Sequence, residues 1–281
     1  MEEVPGVELL WESGDPDHEL TEHFGFPDGR AAGAWVADVL GLQWGIEVVR
    51  CERLVIADRN ALAWIDAGDR RLVAKWSAVP ERFARLEDAA RLVAWLDGRG
   101  FPVAAPLAAE DGRLLMELGD AAEDRVPRPG SRFLLGVLPV IDGDLLDVRD
   151  ADQVEDAGRM LARLHDALAA YPEPIRGRDR PAGAQLVHHD FRSANLLHDG
   201  TGITAVLDFE EVAYDARVGD LARSAVLLAT RYRDWGPTTE AVRASYVDTY
   251  DRHASEPLTM AERRDLDHRI AGLLQAFGWH R

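Results

Sequence analysis

The chain has 281 residues, of which 47% are hydrophobic and one is a cysteine, and its formal net charge at pH 7 is −18. This composition is typical of a globular protein with ample core, and a single cysteine excludes an internal disulfide framework, so we expect a reducing compartment, the cytoplasm. The acidic balance argues against nucleic acids and anionic membranes as partners and favours a cationic ligand, although many proteins are acidic only to stay dispersed.

The first 80 residues have the pattern of a mixed α and β region. Residues 31–42 are apolar at helical spacing, which predicts a helix. Strand-like runs follow at 46–57, 61–66 and 71–76, and a turn between the last two predicts a hairpin. The sequence leaves open whether residues 1–30 form a tail or pack on this region.

A second helix is predicted from Pro80 to about Asp97. Proline suits the first turn of a helix, apolar residues recur every three to four positions after it, and glycines follow. Strand-like runs at 112–118 and 132–141 come next, separated by a charged loop that contains proline and glycine.

The chain changes character after this point and becomes mostly helical. Residues 151–170 predict an amphipathic helix, and turn residues near 200 predict a second hairpin. Helices are predicted at 218–234, 237–253 and 259–277, the last with a capping-box sequence at its start. The order of elements predicts an α+β chain in two lobes.

The stretch LVHHDFRSANLL, residues 186–197, concentrates polar side chains between apolar ones. Asp190 and Asn195 stand in a loop that begins the predicted hairpin, and the second strand of that hairpin ends at Asp208. Because a tight hairpin brings its ends together, Asn195 and Asp208 should lie side by side as a hard oxygen site suited to Mg²⁺. Asp190 beside them could accept a hydroxyl proton, as phosphoryl transfer requires, while His188 would hold the loop backbone.

Three short patterns carry a resemblance to a known family. HHDFRSAN fits the kinase catalytic-loop pattern H-x-D-x-x-x-x-N, and DFE at 208–210 stands where kinases have DFG. With GDLARS at 219–224, the chain resembles the aminoglycoside phosphotransferase family over about residues 31–250. That family includes kinases of other antibiotics, such as capreomycin and viomycin, and of small metabolites such as choline and homoserine.

The resemblance implies a two-lobed protein-kinase-like fold. Its mixed N-terminal lobe, with an antiparallel sheet, would be the nucleotide-binding residues 1–137. Residues 138–145 would be a hinge whose backbone binds the adenine of ATP, with GTP as the alternative nucleotide. A mostly helical C-terminal lobe, residues 146–281, would carry catalysis and substrate binding.

The resemblance also implies roles for single residues. Asp190 would be the catalytic base, and Asn195 and Asp208 would hold Mg²⁺. Asp220 would brace the catalytic loop together with His188.

On the nucleotide side, Lys75 would grip the phosphates. Its carboxylate partner would be Glu87, with Asp88 as the alternative. The loop IADRNALA contains no glycine, so Asn60 or backbone amides would reach the phosphates in place of a glycine-rich lid. The sequence departs from the family and kinase patterns at two further positions. His189 stands where the family commonly has glycine, and Glu210 stands in place of the glycine of the kinase motif.

Seven acidic residues fall within 15 positions after the predicted hinge, against one basic residue. Asp150 and Asp152 are explained by their position at the N-terminus of the predicted helix, where carboxylates balance the positive end of the helix dipole. The other carboxylates would attract a polycationic substrate. We therefore predict substrate contacts from four acidic residues: Asp142, Asp144, Asp147 and Glu210.

The predicted function is transfer of the γ-phosphate of ATP to a hydroxyl of a small cationic compound, an antibiotic, which would confer resistance. The alternatives are a small-metabolite kinase, a kinase-fold protein that binds nucleotide without turnover, and a metal-dependent hydrolase that uses the paired histidines. Whether the protein is a monomer or a dimer stays open.

Overall fold

A computed structural model describes residues 5–119 and 126–279. The chain forms two compact units, the first containing the described residues up to Ala94 and Ala104–Val140, the second containing Trp95–Val103 and the described residues from Ile141 onward. The segment Trp95–Val103 joins the second unit because Val103 pairs with Val206, whose N–H also donates to the carbonyl of Pro102 at 2.8 Å.

The first unit is built on a six-stranded sheet with the order β1-β2-β3-β4-β6-β5. All neighbours are antiparallel except β1, which runs parallel to β2. The strands are β1 (Gly6–Leu9), β2 (Arg50–Ala57), β3 (Asn60–Asp66), β4 (Arg71–Ser77), β5 (Leu115–Leu118) and β6 (Phe133–Pro139).

One face of this sheet is covered by aromatic side chains from the N-terminal segment and from α2 (Gly29–Trp44). Before α2 the chain makes a short helix α1 (Pro16–Glu19) and a π-helical turn (Leu20–Phe24). Phe24 and Trp35 pack edge-on against Trp76 of β4, with ring centroids 5.9 and 5.6 Å away. Of the two alternatives for residues 1–30, the described part packs on the sheet.

The opposite face of the sheet carries Lys75, because side chains alternate along β4 and Leu72, Ala74 and Trp76 fill the core. On the same face, Leu134 of β6 packs against Phe83 and Leu86 of α3 (Pro80–Asp97).

The described part of the second unit contains four α-helices and two small sheets, which confirms the predicted α+β class for the chain. The sheets have the orders β10-β9-β7 and β11-β8. The elements are β7 (Asp144–Leu145), α4 (Ala151–Ala169), β8 (Gln185–Val187), β9 (Leu196–His198), β10 (Ile203–Val206), β11 (Ala213–Asp215), α5 (Arg217–Leu227), α6 (Glu240–His253) and α7 (Met260–Ala276).

Helices α4 and α6 pack against each other at Gly158, where a Cβ would lie 2.7 Å from the carbonyl oxygen of Tyr246. Glycine therefore permits this close approach.

Two predictions about helix ends have opposite outcomes. The capping box at the start of α7 is present, with Thr259 and Glu262 bonding each other's backbone. The predicted helix 218–234 is wrong, since α5 ends at Leu227. The hydroxyl of Thr238 donates to the carbonyl of Val226 and accepts the N–H of Ala229. These two backbone groups are therefore bonded to a side chain from a later segment and not to the next turn of a continued helix.

Candidate active site

The structure brings the central residues of the 186–197 stretch together at the base of the β9–β10 hairpin. The N–H of Leu207 donates to the carbonyl of Asn195 at 2.8 Å. Asp208, the next residue after Leu207, therefore lies beside the end of the loop. The side-chain amide of Asn195 donates to the backbone carbonyl of Asp190 at 2.8 Å and to its Oδ2 at 2.7 Å. Asp190, Asn195 and Asp208 thus belong to one cluster, as the hairpin predicted.

The second oxygen of the Asp190 carboxylate is also held. Arg192 donates from Nε to Oδ1 at 2.9 Å, and Arg192 itself is only 8% exposed. Its Nη1 is buried and has no hydrogen-bond partner among the described residues. Both carboxylate oxygens therefore have a fixed direction. The sequence placed Arg192 in this loop but assigned it no role.

His188 lies fully buried behind the loop and acts on its backbone. Its Nε2 donates to the carbonyl of Leu207 at 3.0 Å, and its Nδ1 accepts the N–H of Asp190 at 3.2 Å. Its ring also packs edge-on against Phe209, with centroids 4.6 Å apart. Burial lowers the pKa of His188 below its ordinary value, and nearby carboxylates only partly offset this. The imidazole is therefore a neutral support for the loop.

Asp220 holds the start of the loop from α5. Its carboxylate accepts the backbone N–H groups of His188 at 3.2 Å and His189 at 2.9 Å. It also accepts Nε2 of His165 at 3.0 Å, and Nδ1 of that ring contacts the hydroxyl of Tyr250 at 2.8 Å. Burial alone would raise the pKa of Asp220, but the hydrogen bond from His165 and the neighbouring histidines bring it below the ordinary carboxyl value.

Two residues of this site have a left-handed backbone. His189 has φ of 67° and Asp208 has φ of 62°. This conformation costs a non-glycine residue on the order of 1–3 kcal/mol. Glycine would adopt this conformation without that cost, so the bonds from Asp220 and Arg223 to the backbone of His189 must hold it in place.

The backbone carbonyls of the loop are held by side chains. Four of them accept a side-chain hydrogen bond, and three of the donors come from beyond residue 220. The pairs are Arg223 to His189 at 2.7 Å, Asn195 to Asp190 at 2.8 Å, Ser224 to Phe191 at 2.7 Å and Tyr232 to Ala194 at 3.1 Å.

The predicted nucleotide-binding residues lie in the first unit. Lys75 and Glu87 are half-buried, on β4 and α3. Asp88 is buried and forms an ion pair with Arg91. Asn60 is half-buried at the end of a two-residue turn between β2 and β3.

That turn contains no glycine. Asp58, one of its two residues, adopts the left-handed conformation with φ of 54°, which aspartate tolerates better than most residues. The connection is therefore a tight hairpin turn.

The acidic residues after position 140 divide into two groups. Asp147 is paired with Arg149 at 2.6 Å, and the hydrogen bonds from Arg149 lower its pKa to about 2. Asp150 caps the N-terminus of α4. By contrast, Asp142 and Asp144 are exposed and form no ion pair within the described ranges. Only part of the cluster therefore keeps its charge available for a ligand.

Glu210 is half-buried in a short 3-10 helix, Phe209–Glu211, directly after Asp208. It therefore lies two positions after Asp208, the residue predicted to hold metal.

The donor set at the hairpin fits Mg²⁺. The amide nitrogen of Asn195 bonds to Asp190, so its Oδ1 is the atom that would bind a metal, and Asp208, which follows the hairpin, is exposed. Mg²⁺ commonly takes one or two protein oxygens and completes its shell with water and phosphates. Across residues 5–119 and 126–279, no group of three or more His, Cys, Asp or Glu side chains could hold a metal ion.

None of the helices within those same ranges has the length and apolarity required to span a membrane.

The comparisons with known proteins agree on the fold. The chain is similar to an amicoumacin kinase solved with AMP-PNP and Ca²⁺ (16% identity, 86% of each chain covered, TM-score 0.65). It is also similar to a microcompartment-associated aminopropanol kinase (16% identity, 84% of this chain and 85% of that chain, TM-score 0.62). A third is the macrolide 2'-phosphotransferase of Brachybacterium faecium (17% identity, 86% and 93%, TM-score 0.55).

No curated protein sequence matches the chain. The model of the phosphotransferase enzyme family, by contrast, matches residues 57–185 and 176–264, which is most of the sequence. The predicted resemblance and the kinase-like fold are confirmed, and the chain belongs to the APH phosphotransferase enzyme family.

Proposed function

We propose that this phosphotransferase transfers the γ-phosphate of ATP to a hydroxyl group of a small cationic compound. The observation that carries the proposal is the carboxylate of Asp190, held at 2.9 Å by Arg192 and at 2.7 Å by Asn195, in the cluster that includes Asp208. A carboxylate so oriented is what phosphoryl transfer to an alcohol needs, because most of the catalysis lies in positioning and in charge stabilisation.

In the proposed reaction, Asp190 takes the proton of the acceptor hydroxyl while the hydroxyl oxygen forms a bond to the γ-phosphorus, and ADP leaves. Asn195 Oδ1 and Asp208 would hold Mg²⁺, which neutralises charge on the phosphates when bound. His188 and Asp220 keep the loop in place through its backbone.

The first unit would bind the nucleotide, as the family resemblance implies. Lys75 would contact the phosphates, paired with Glu87 or Asp88, and Asn60 lies at the turn that replaces the glycine-rich lid. We assign nucleotide binding to residues 1–137, the hinge to 138–145, and catalysis and acceptor binding to 146–281. We also propose that the protein acts in the cytoplasm, where ATP is available.

The acceptor class is inferred from charge. The net charge of −18 and the exposed carboxylates of Asp142 and Asp144 favour a cationic molecule. Structural neighbours include kinases of antibiotics and of aminopropanol, so an antibiotic is the leading acceptor and a small amino alcohol the second candidate. Phosphorylation of an antibiotic would confer resistance.

The test is Mg²⁺-dependent ADP release from ATP, and separately from GTP, with aminoglycosides, capreomycin, viomycin, choline and homoserine as acceptors. Asp190→Asn should lower kcat by about 10²–10⁴-fold, the usual contribution of a catalytic base, with unchanged ATP affinity. Asp69→Asn, at a side chain that is 82% exposed in the first unit, is the matched control and should behave as wild type. Retention of wild-type kcat by Asp190→Asn would contradict the assigned base. ATP binding without any product would favour the kinase-fold protein that lacks turnover.

A further inference from the structure

The segment after α5, residues 231–235, is bound to both the catalytic loop and the acidic segment. Arg231 donates from Nη2 to the carbonyls of Leu146 at 2.8 Å and Leu145 at 3.2 Å. The hydroxyl of Tyr232 donates to the carbonyl of Ala194 at 3.1 Å. The segment therefore joins the chain beside the exposed Asp144 to the loop that carries Asp190.

Trp235 presents its ring at this junction. Its Nε1 donates to the carbonyl of Tyr232 at 3.2 Å, which fixes the indole relative to the catalytic loop. The Cζ atom of Arg192 lies 5.5 Å from the ring centroid, and Nε of the same guanidinium bonds Asp190. The indole is thus two contacts away from the carboxylate of the proposed base.

Trp235 as a residue is nevertheless 53% exposed, whereas Trp35, Trp44 and Trp76 are each at most 8% exposed. Trp235 takes no part in the side-chain hydrogen bonds that end α5, which come from Thr238 and Thr230. An exposed tryptophan whose indole N–H is hydrogen-bonded, close to the proposed base, is typical of a ligand-binding surface.

Arg192 gives a second indication of a ligand. It is 8% exposed, and its Nη1 is buried with no hydrogen-bond partner among the described residues. A buried guanidinium N–H of this kind ordinarily has an acceptor. A hydroxyl or other oxygen of a bound acceptor molecule would supply one.

We infer that Trp235 is an acceptor subsite, which binds an ammonium or guanidinium group of the substrate against its exposed indole face. The inference rests on the proposed function and specifies where its cationic acceptor sits. Aromatic rings bind such cations through their π face. The segment that carries Trp235 is also bonded to Leu145, the residue after the exposed Asp144, whose carboxylate has the opposite charge. Arg192 does not oppose this, because Asp190 neutralises its charge.

The test compares Trp235→Ala and Trp235→Phe with wild type, and uses Trp11→Ala, at an exposed tryptophan of the first unit, as matched control. Calorimetry measures binding of viomycin, capreomycin, kanamycin and choline to each protein, and of ATP to each. Trp235→Ala should weaken binding of the accepted cation about tenfold, as expected for a cation–π contact, and Trp235→Phe should restore most of it. ATP affinity and the Trp11→Ala protein should be unchanged.

Wild-type affinity of Trp235→Ala for every cation would overturn the subsite while leaving the proposed reaction intact. Failure of wild type to bind any of the four cations would overturn it as well. If a cation binds through Trp235 but is never phosphorylated, the subsite stands and the proposed reaction fails, so the two claims are tested separately.

Discussion

The imidazole of His188 lies fully buried at the centre of the site, and both of its nitrogens are engaged by backbone groups. Nε2 must carry the proton, since it donates to the carbonyl of Leu207, and Nδ1 must be bare, since it accepts the N–H of Asp190. Protonation of Nδ1 would remove a hydrogen bond from the loop and place a charge in a buried site. The lowered pKa of His188 follows from this burial.

This arrangement predicts how stability depends on pH. Below the ordinary histidine pKa of 6.5 the unfolded chain takes up a proton that folded His188 does not bind, so the free energy of unfolding falls as the pH falls. The loss grows as the pH falls further below 6.5, because more of the unfolded chain then carries this proton. Urea unfolding of wild type and His188→Gln at pH 7.5, 6.5 and 5.5 should give a flatter profile for the variant, because glutamine keeps a donor but does not titrate. Parallel profiles would show that His188 is not the group responsible.

At the scale of elements, the contact between α4 and α6 supports the site indirectly. Helix α4 carries His165 and α6 carries Tyr250, and these two side chains meet behind Asp220. The distance between the helices is set at Gly158, where a Cβ would lie 2.7 Å from the carbonyl of Tyr246 and 3.0 Å from Cβ of Thr249. Neither neighbour is the flexible end of a side chain.

Gly158→Ala should therefore force the helices apart and destabilise the protein by about 1–3 kcal/mol, the usual cost of overpacking. Gly272→Ala in α7 is the matched control, because a Cβ there meets nothing within 4 Å. It should stabilise the helix by up to about 1 kcal/mol through helix propensity alone. Thermal unfolding of both variants distinguishes the effects, and equal melting temperatures would contradict the close approach.

Elements whose boundaries depend on local chemistry were predictable from the sequence. The helix Pro80–Asp97 has its proline at the start, and the β9–β10 hairpin has its turn residues. The same hairpin made the proximity of Asn195 and Asp208 predictable.

Features set by distant contacts were not predictable. The end of α5 depends on Thr238, eleven residues later in the chain than Leu227, and β1 gains its structure only by pairing with β2. The bond from Arg192 to Asp190 is local, but it was not predictable either, because it depends on the side-chain rotamer of Arg192, which the sequence pattern does not specify.

For the whole molecule, the dominant quantity is the net charge of −18, from 50 acidic and 32 basic residues. A charge of this size repels itself in the compact state more than in the expanded chain. The exposed ion pairs act in the opposite direction, but each contributes little. Self-repulsion should therefore decide how the protein responds to salt.

We expect the melting temperature to rise by several degrees when NaCl is increased from about 0.02 to 0.3 M, since the screening length shortens over that range. Asp69→Lys, at a side chain that is 82% exposed, makes the net charge less negative by two and should raise the melting temperature at low salt only. A melting temperature that falls with salt would mean that the ion pairs outweigh the repulsion.

Because side chains from later in the chain support the loop carbonyls, the loop cannot be moved to another protein by itself with its conformation kept. The donors to His189, Phe191 and Ala194 lie 34, 33 and 38 positions later in the chain, on α5 and in the segment that follows it. The eight residues HHDFRSAN therefore do not by themselves determine the conformation of the loop. A chimera that receives this loop without Arg223, Ser224 and Tyr232 would acquire the residues proposed for catalysis but not their geometry. The loop and the segment that supplies these three side chains would therefore have to be transferred together.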